Sequence, residues 1–265
     1  MLRKLLSVVG VSSLLVIPPL TAASAADMPV KAPPPAAAVA APAADWTGIF
    51  IDGAVGWQQS RFYWALTNPV PATIPPFTLT SNDGELGGHF GYQHQFNWLV
   101  VGGEFGASST LRKFASATAN GTALGPACYG PAGNVCAARA GAVITYGGKL
   151  GVAWQNWLVY GVGGGATGSV SSVLYAPSGA LFDTTNGPKY TGYYAGGGFD
   201  YVFGHTRLID MIGGIEYEHI DLGTQYLASS ADGFIPSPPG VNGRNVSAKE
   251  DIVWGKVTVK LNPWK

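Results

Sequence analysis

Charge is scarce in this chain. Asp, Glu, Lys and Arg make up 11% of its residues, against about 25% in ordinary soluble domains. The 15 acidic and 15 basic residues cancel, so nothing in the electrostatics points to a nucleic-acid partner, and none is expected. Cysteine is nearly absent, with only Cys128 and Cys136, and histidine is limited to four positions. Long apolar runs are missing too. Beyond the N-terminus no stretch approaches the roughly 20 apolar residues of a membrane-spanning helix. Yet 47% of the chain is hydrophobic and 38 residues are glycine. Hydrophobicity this high, with so few charges and no long run, fits strands that place apolar side chains at alternate positions and cross a membrane.

The N-terminus supplies an address. Arg3 and Lys4 precede an apolar run from Leu5 to Leu20, followed by the small-residue site Ala23-Ser24-Ala25. Residues 1–25 are therefore expected to be a secretory signal peptide. No cysteine follows the cleavage site, which argues against a lipoprotein. Residues 26–44, rich in Pro and Ala, should form an extended periplasmic linker, leaving 45–265 as the folded domain. Export makes a local disulfide between Cys128 and Cys136 the expectation.

After the linker the pattern has period two. In Leu99–Ala107, Leu99, Val101 and Phe105 share one side while Val100 and Glu104 share the other. In Arg207–Leu222, Ile209, Met211, Ile215 and Tyr217 oppose Asp210, Glu216 and Glu218. Near the C-terminus, Val253, Val257, Val259 and Leu261 oppose Lys256, Thr258 and Lys260. Alternation with this contrast predicts strands with one apolar and one polar face. Similar segments at 46–57, 85–96, 139–154, 157–169 and 191–203 bring the total to eight. Short connections fall at Asn97-Trp98, Gln155-Asn156 and Gly204-His205-Thr206; long ones fall at about 60–82, 111–138, 170–190 and 223–248. Turns at one end and long loops at the other predict an all-β fold: an eight-stranded antiparallel transmembrane barrel with short periplasmic turns and four long extracellular loops.

Two sets of side chains follow from that arrangement. Trp57, Phe96, Trp98, Trp154, Trp157, Phe203 and Tyr217 lie near the expected strand ends, and read as an aromatic girdle at the membrane–water boundaries. The inward face would carry Asp52, Glu85, Glu104, Asp200, Asp210, Glu216 and Glu218 with Arg139, Lys149, Lys256 and Lys260. A barrel of eight strands is just wide enough for side chains to fill it. The lumen is thus expected to be a paired charge network and not a wide pore. Asp52 is expected to pair with Lys256 or Lys260 on the closing strand.

Motifs for chemistry are weak. Gly163-x-Gly165-x-x-Gly168 matches a dinucleotide fingerprint by letter, but it sits inside an expected strand with no helix to follow. His89, His94, His205 and His219 show no metal-ligand spacing. His94 and His219 should face outward, and His205 should sit in a turn. A lipid-modifying hydrolase would need His219 with Ser229 or Ser230. No cofactor, metal or catalytic residue is expected.

The lead "SAADMPVKAPPPA" and the first strand "WTGIFIDGAVGW" resemble the Omp25/Omp31-like outer-membrane porin family of alphaproteobacteria. "GELGGHFGYQHQFNWLVVGGEFGAS" and "GGKLGVAWQNWLVYGVGGGA" are similar to later hairpins of that family, in the right order. The resemblance implies a barrel in the outer membrane of a Gram-negative cell, exposed as a surface antigen. Its implied partners are outer-membrane lipid and lipopolysaccharide, the outer-membrane assembly machinery, and a host or extracellular ligand bound through the loops. An envelope-structural and surface-interaction role leads. A narrow porin and a heme-binding surface receptor stand as alternatives. The end "TVKLNPWK" departs from the terminal aromatic usual in that family.

Overall fold

The computed structural model describes residues 44–66, 76–111, 115–118, 135–175, 178–228 and 243–262. The signal peptide, almost all of the linker, the C-terminal 263–265 and Cys128 of the expected disulfide lie outside the described residues, while Cys136 is buried on a described strand. Every described element is a strand: β1 (Gly48–Leu66), β2 (Phe77–Phe96), β3 (Leu99–Thr110), β4 (Ala115–Thr118), β5 (Val135–Trp154), β6 (Trp157–Tyr175), β7 (Leu181–His205), β8 (Ile209–Ala228) and β9 (Gly243–Leu261). Neighbours along the sheet are antiparallel, and β9 pairs with β1 over almost its full length. The ring closes where β3 pairs with β5, from Leu99↔Val152 to Ser108↔Val143. The four-residue β4 adds to β5 beyond the end of β3. The fold is an eight-stranded antiparallel barrel with no open edge in the ring, which removes the unpaired amides that lipid could not satisfy.

The period-two pattern becomes two faces. Ile49, Ile51, Val55 and Trp57 point outward, while Phe50, Asp52 and Ala54 are buried inside. On β9, Val253, Val257 and Leu261 are exposed between the buried Trp254, Lys256, Thr258 and Lys260. A one-residue slip would move every one of these charges to the outer face, so the register is strongly specified.

The turns hold to the expected end, with small differences. Phe96↔Leu99 and Trp154↔Trp157 close two-residue hairpins. Their first residues, Asn97 and Gln155, adopt φ of 59° and 54°. His205, expected in a turn, is instead the last residue of β7, and the turn proper is 206–208. Gly48 sits at φ 150° where an added Cβ would lie 2.2 Å from the Leu261 carbonyl oxygen, so only glycine fits there.

The strands are much longer than the alternation suggested. β1 extends to Leu66 and β2 begins at Phe77, so most of the expected 60–82 loop is strand. β9 begins at Gly243, well inside the expected 223–248 loop. The reason is visible in the sequence. Past Trp57 the outward positions become Gln59, Arg61 and Tyr63, while the inward ones become Phe62 and Trp64. The apolar face changes sides, and a search for one continuous greasy face stops there.

Candidate functional site

The lumen gathers most of the charge among the described side chains, and its contents are layered. At the turn end the chain enters as a strap. Ala44 donates its N–H to the Gln155 carbonyl (3.3 Å), Trp46 donates to Gln95 Oε1 (2.8 Å), and Gln93 Nε2 donates back to the Trp46 carbonyl (2.8 Å). These bonds set Trp46 completely buried, in the apolar set with Val100, Leu158, Val202 and Ile212 near the turn end of the barrel. At the loop end the inward residues are again apolar: Phe62, Trp64, Phe77, Leu79, Val246 and Ala248, with Ile220, Leu222 and Val170 on the opposite strands. Trp64 and Phe77 pack with tilted rings, their centroids 5.3 Å apart.

Between these layers lies the charge network. Lys256 Nζ meets Glu216 Oε2 at 2.7 Å and Asp200 Oδ1 at 3.5 Å, and Lys149 Nζ meets Asp200 Oδ2 at 3.7 Å. The Tyr160 hydroxyl donates to Glu216 Oε2 at 2.5 Å. Its ring lies under both ammonium groups, 3.8 Å from Lys149 and 4.8 Å from Lys256. Glu104 accepts a bond from the Tyr194 hydroxyl at 3.3 Å. Nearer the turns Asp210 and Lys260 are direct cross-strand partners at 2.8 Å. His205 also bonds Asp210, and Lys260 reaches the Thr47 carbonyl at 3.2 Å, tying the strap to β9. Charges removed from water are tolerable only with such partners.

Asp52 requires a correction. It pairs with neither Lys256 nor Lys260. Its Oδ1 accepts the backbone N–H of His89 at 2.9 Å and lies 3.0 Å from His89 Nδ1. Both lysines are held by nearer acids on β7 and β8, and β2 brings His89 to the opposite side of Asp52. The other ring nitrogen of His89 is 3.8 Å from Glu218, whose second oxygen accepts from Trp254 Nε1 at 2.7 Å. His89, Tyr160, Tyr194 and Trp254 are thus part of the network, and the sequence did not assign them to it. The parity was available: His89 shares its side of β2 with Glu85, and Trp254 its side of β9 with Lys256. What the sequence did not show is that aromatic and imidazole groups serve as hydrogen-bonding members here.

Glu85 stands apart. It is buried and bonded to Ser108, and it makes no ion pair with a described lysine of the network. Arg139 belongs to β5, but its side chain lies outside the described ones. Glycines make the network fit. A Cβ at Gly106 would lie 2.4 Å from the His89 ring, and one at Gly56 would lie 2.6 Å from the Trp254 ring. Much of the glycine excess therefore faces large lumen side chains across a strand pair.

All seven girdle aromatics are exposed on the outer wall, from Trp157 at 42% to Trp154 at 70%. Phe96, Trp98, Trp154, Trp157 and Phe203 ring the turn end. Trp57 and Tyr217 do not mark strand ends, because both lie mid-strand, flanking Val253 of β9. From Leu261 to Val253 the wall rises about 20 Å, allowing for strand rise and tilt, near the roughly 25 Å apolar band of membrane barrels. Beyond it the outer wall turns polar.

His219 faces outward and bonds Asp251 Oδ1 at 2.7 Å; Ser229 and Ser230 lie outside the described residues. Among the described residues no group of three His, Cys, Asp or Glu is placed to hold a metal.

No family model matches the chain, and no curated protein matches it. Solved structures with a similar backbone include OprG from Pseudomonas aeruginosa, 12% identical, covering 81% of this chain and 97% of that one at a TM-score of 0.45. Neisserial surface protein A is 10% identical, with 78% and 96% covered and a TM-score of 0.34. The attachment invasion locus protein Ail of Yersinia pestis, solved with the heparin analogue sucrose octasulfate, is 11% identical, with 79% and 99% covered and a TM-score of 0.32. Such values transfer no property of those proteins to this chain.

Proposed function

We propose that the chain is an outer-membrane barrel with a non-conducting lumen, serving envelope structure and surface interaction, and that it belongs with the Omp25/Omp31-like proteins its strands resemble. One observation carries the reading: side chains fill the lumen at three successive levels. Trp46 and its apolar neighbours lie at the turn end, the Lys256–Glu216–Tyr160 network in the middle, and the Phe62–Trp64–Phe77 layer at the loop end. A solute would have to displace all three. The long loops would then face the outside, the 26–44 linker the periplasm, and the lumen would serve rigidity. On this reading no described lumen group is catalytic, because each described lumen acid or base is committed to a neighbouring side chain or enclosed between apolar layers.

Planar-bilayer recording of the full-length protein tests the proposal. The expected result is no stable single-channel opening, alongside a gel shift between boiled and unboiled samples that reports a closed barrel. Stable openings would establish the narrow porin instead. Those openings would favour cations, since among the described side chains nine buried carboxylates face three buried lysines and His89.

A further inference from the structure

Above the apolar band, the outward-facing charge of the described side chains is confined to one sector of the wall. Among the described side chains, Lys189 of β7, His219 and Asp221 of β8, Lys249 and Asp251 of β9, and Arg61 of β1 face outward there. These four strands are consecutive around the ring. The outward positions at that height on β2 and β3 are Asn82, Thr80 and Ser109, and on β6 Thr167 and Ser169.

Within the sector Arg61 and Lys249 are direct cross-strand partners. Like charges so placed repel. Here two carboxylates hold them in position from either side. Asp251 binds Arg61 and also accepts from the Tyr217 hydroxyl (2.7 Å) and lies 2.7 Å from His219 Nδ1. Asp221 meets Lys249 Nζ at 2.8 Å. Asp221 is itself fixed by a bulge, because its Oδ1 accepts the N–H of Gly223, which has φ 74°. The Arg61 and Lys249 side chains nevertheless stay 46% and 47% exposed, with unused donors turned outward. Tyr193 lies alongside, 53% exposed, its ring 6.5 Å from His219.

We propose that this face binds the phosphorylated sugar headgroup of an outer-leaflet glycolipid, of the lipid A class. The inference rests on the outer-membrane reading above. Height selects a lipid headgroup: the cluster stands on the outside of the wall, a step above Trp57 and Tyr217, where the acyl region ends. Composition selects a sugar phosphate over a bare phosphodiester. Arg61 and Lys249 supply donors for a phosphate, Asp221 and Asp251 supply acceptors for hydroxyl and amide groups, and Tyr193 offers a flat ring to a sugar face. An anion between Arg61 and Lys249 also relieves their mutual repulsion.

The test uses the full-length protein in detergent, incubated with diphosphoryl lipid A or, in a parallel arm, phosphatidylglycerol, with retained lipid counted by native mass spectrometry. Wild type is expected to retain lipid A in preference to phosphatidylglycerol. The pair Arg61→Gln and Lys249→Gln should reduce lipid A retention about 30-fold, each cation at an anionic surface counting for about fivefold. Arg207→Gln, an exposed turn residue at the opposite end, should change nothing. Equal retention of the two lipids, or a double variant that retains lipid A like wild type, would overturn the proposal. The boiled-versus-unboiled gel shift of the same samples reports whether the barrel is closed, so loss of the barrel is told apart from loss of binding. If the double variant fails to close, Lys249→Gln alone is read at an expected fivefold reduction, and no reduction overturns the proposal equally.

Discussion

The barrel has two halves built on opposite solvents. Near the turns the wall is apolar outside and charged within, so Val257 is exposed while Lys256, one residue away, is buried beside Glu216. Near the loops the same strands carry Gln59 and Arg61 outside and Phe62 and Trp64 within. The exchange occurs without a break in the β1–β9 ladder, which pairs continuously through it. Burial preference is therefore not a property of the strand. Lipid outside leaves the interior as the only place for charge. Water outside restores the ordinary rule that apolar side chains go inward. In the half facing lipid, ion pairs and hydrogen bonds fill the interior above the apolar cap at the turns, and in the half facing water the top of the interior is packed with apolar side chains.

Substitutions can break that comparison in a graded way. The largest effect is expected from Lys256→Met, which leaves Glu216 and Asp200 buried without their nearest cation. Loss of one partner from a buried pair costs about 3–5 kcal/mol, measurable as a lower urea midpoint for the closed form of vesicle-reconstituted barrel. Leu79→Ala in the loop-end half should cost about 2–5 kcal/mol through the cavity it leaves. Hydrogen exchange should place that loss in the upper strand segments, with the membrane-facing segments still protected; uniform deprotection would join the two halves into one unit. The smallest effects separate the two outer walls. Val257→Arg in the lipid-facing band should cost about 2–4 kcal/mol, and Gln59→Arg above it less than about 0.5 kcal/mol. Equal urea midpoints for these two variants would remove the boundary drawn at Trp57 and Tyr217.

The Asp52 position shows where sequence reading stops. Alternation along "DWTGIFIDGAVGW" assigns Asp52 to the inside, and the fold places it there. Its partner depends on how far side chains reach across a closed ring. Thr258 of β9 is its register neighbour, while the carboxylate turns to His89 on the other side. Two lysines of compatible sign were at hand in the sequence, and each is taken by acids of the strands beside it, Lys260 by Asp210 and Lys256 by Glu216 and Asp200. The strap has the same origin. Trp46 reads as the start of a strand, and only the bonds to Gln95 and Gln93 make it a stopper.

Period-two patterning, scarce charge and unequal connections determined the fold class, the strand count and the side of the wall on which each charge in the membrane band lies. Those properties depend on local alternation against a fixed outside solvent, and one sequence carries both. The tertiary structure decided the length of the strands, the pairing inside the lumen and the charged sector above the band. Each of these depends on residues far apart in the chain: on β9 returning to β1, on glycines clearing space across a strand pair, and on where the wall leaves lipid and meets water.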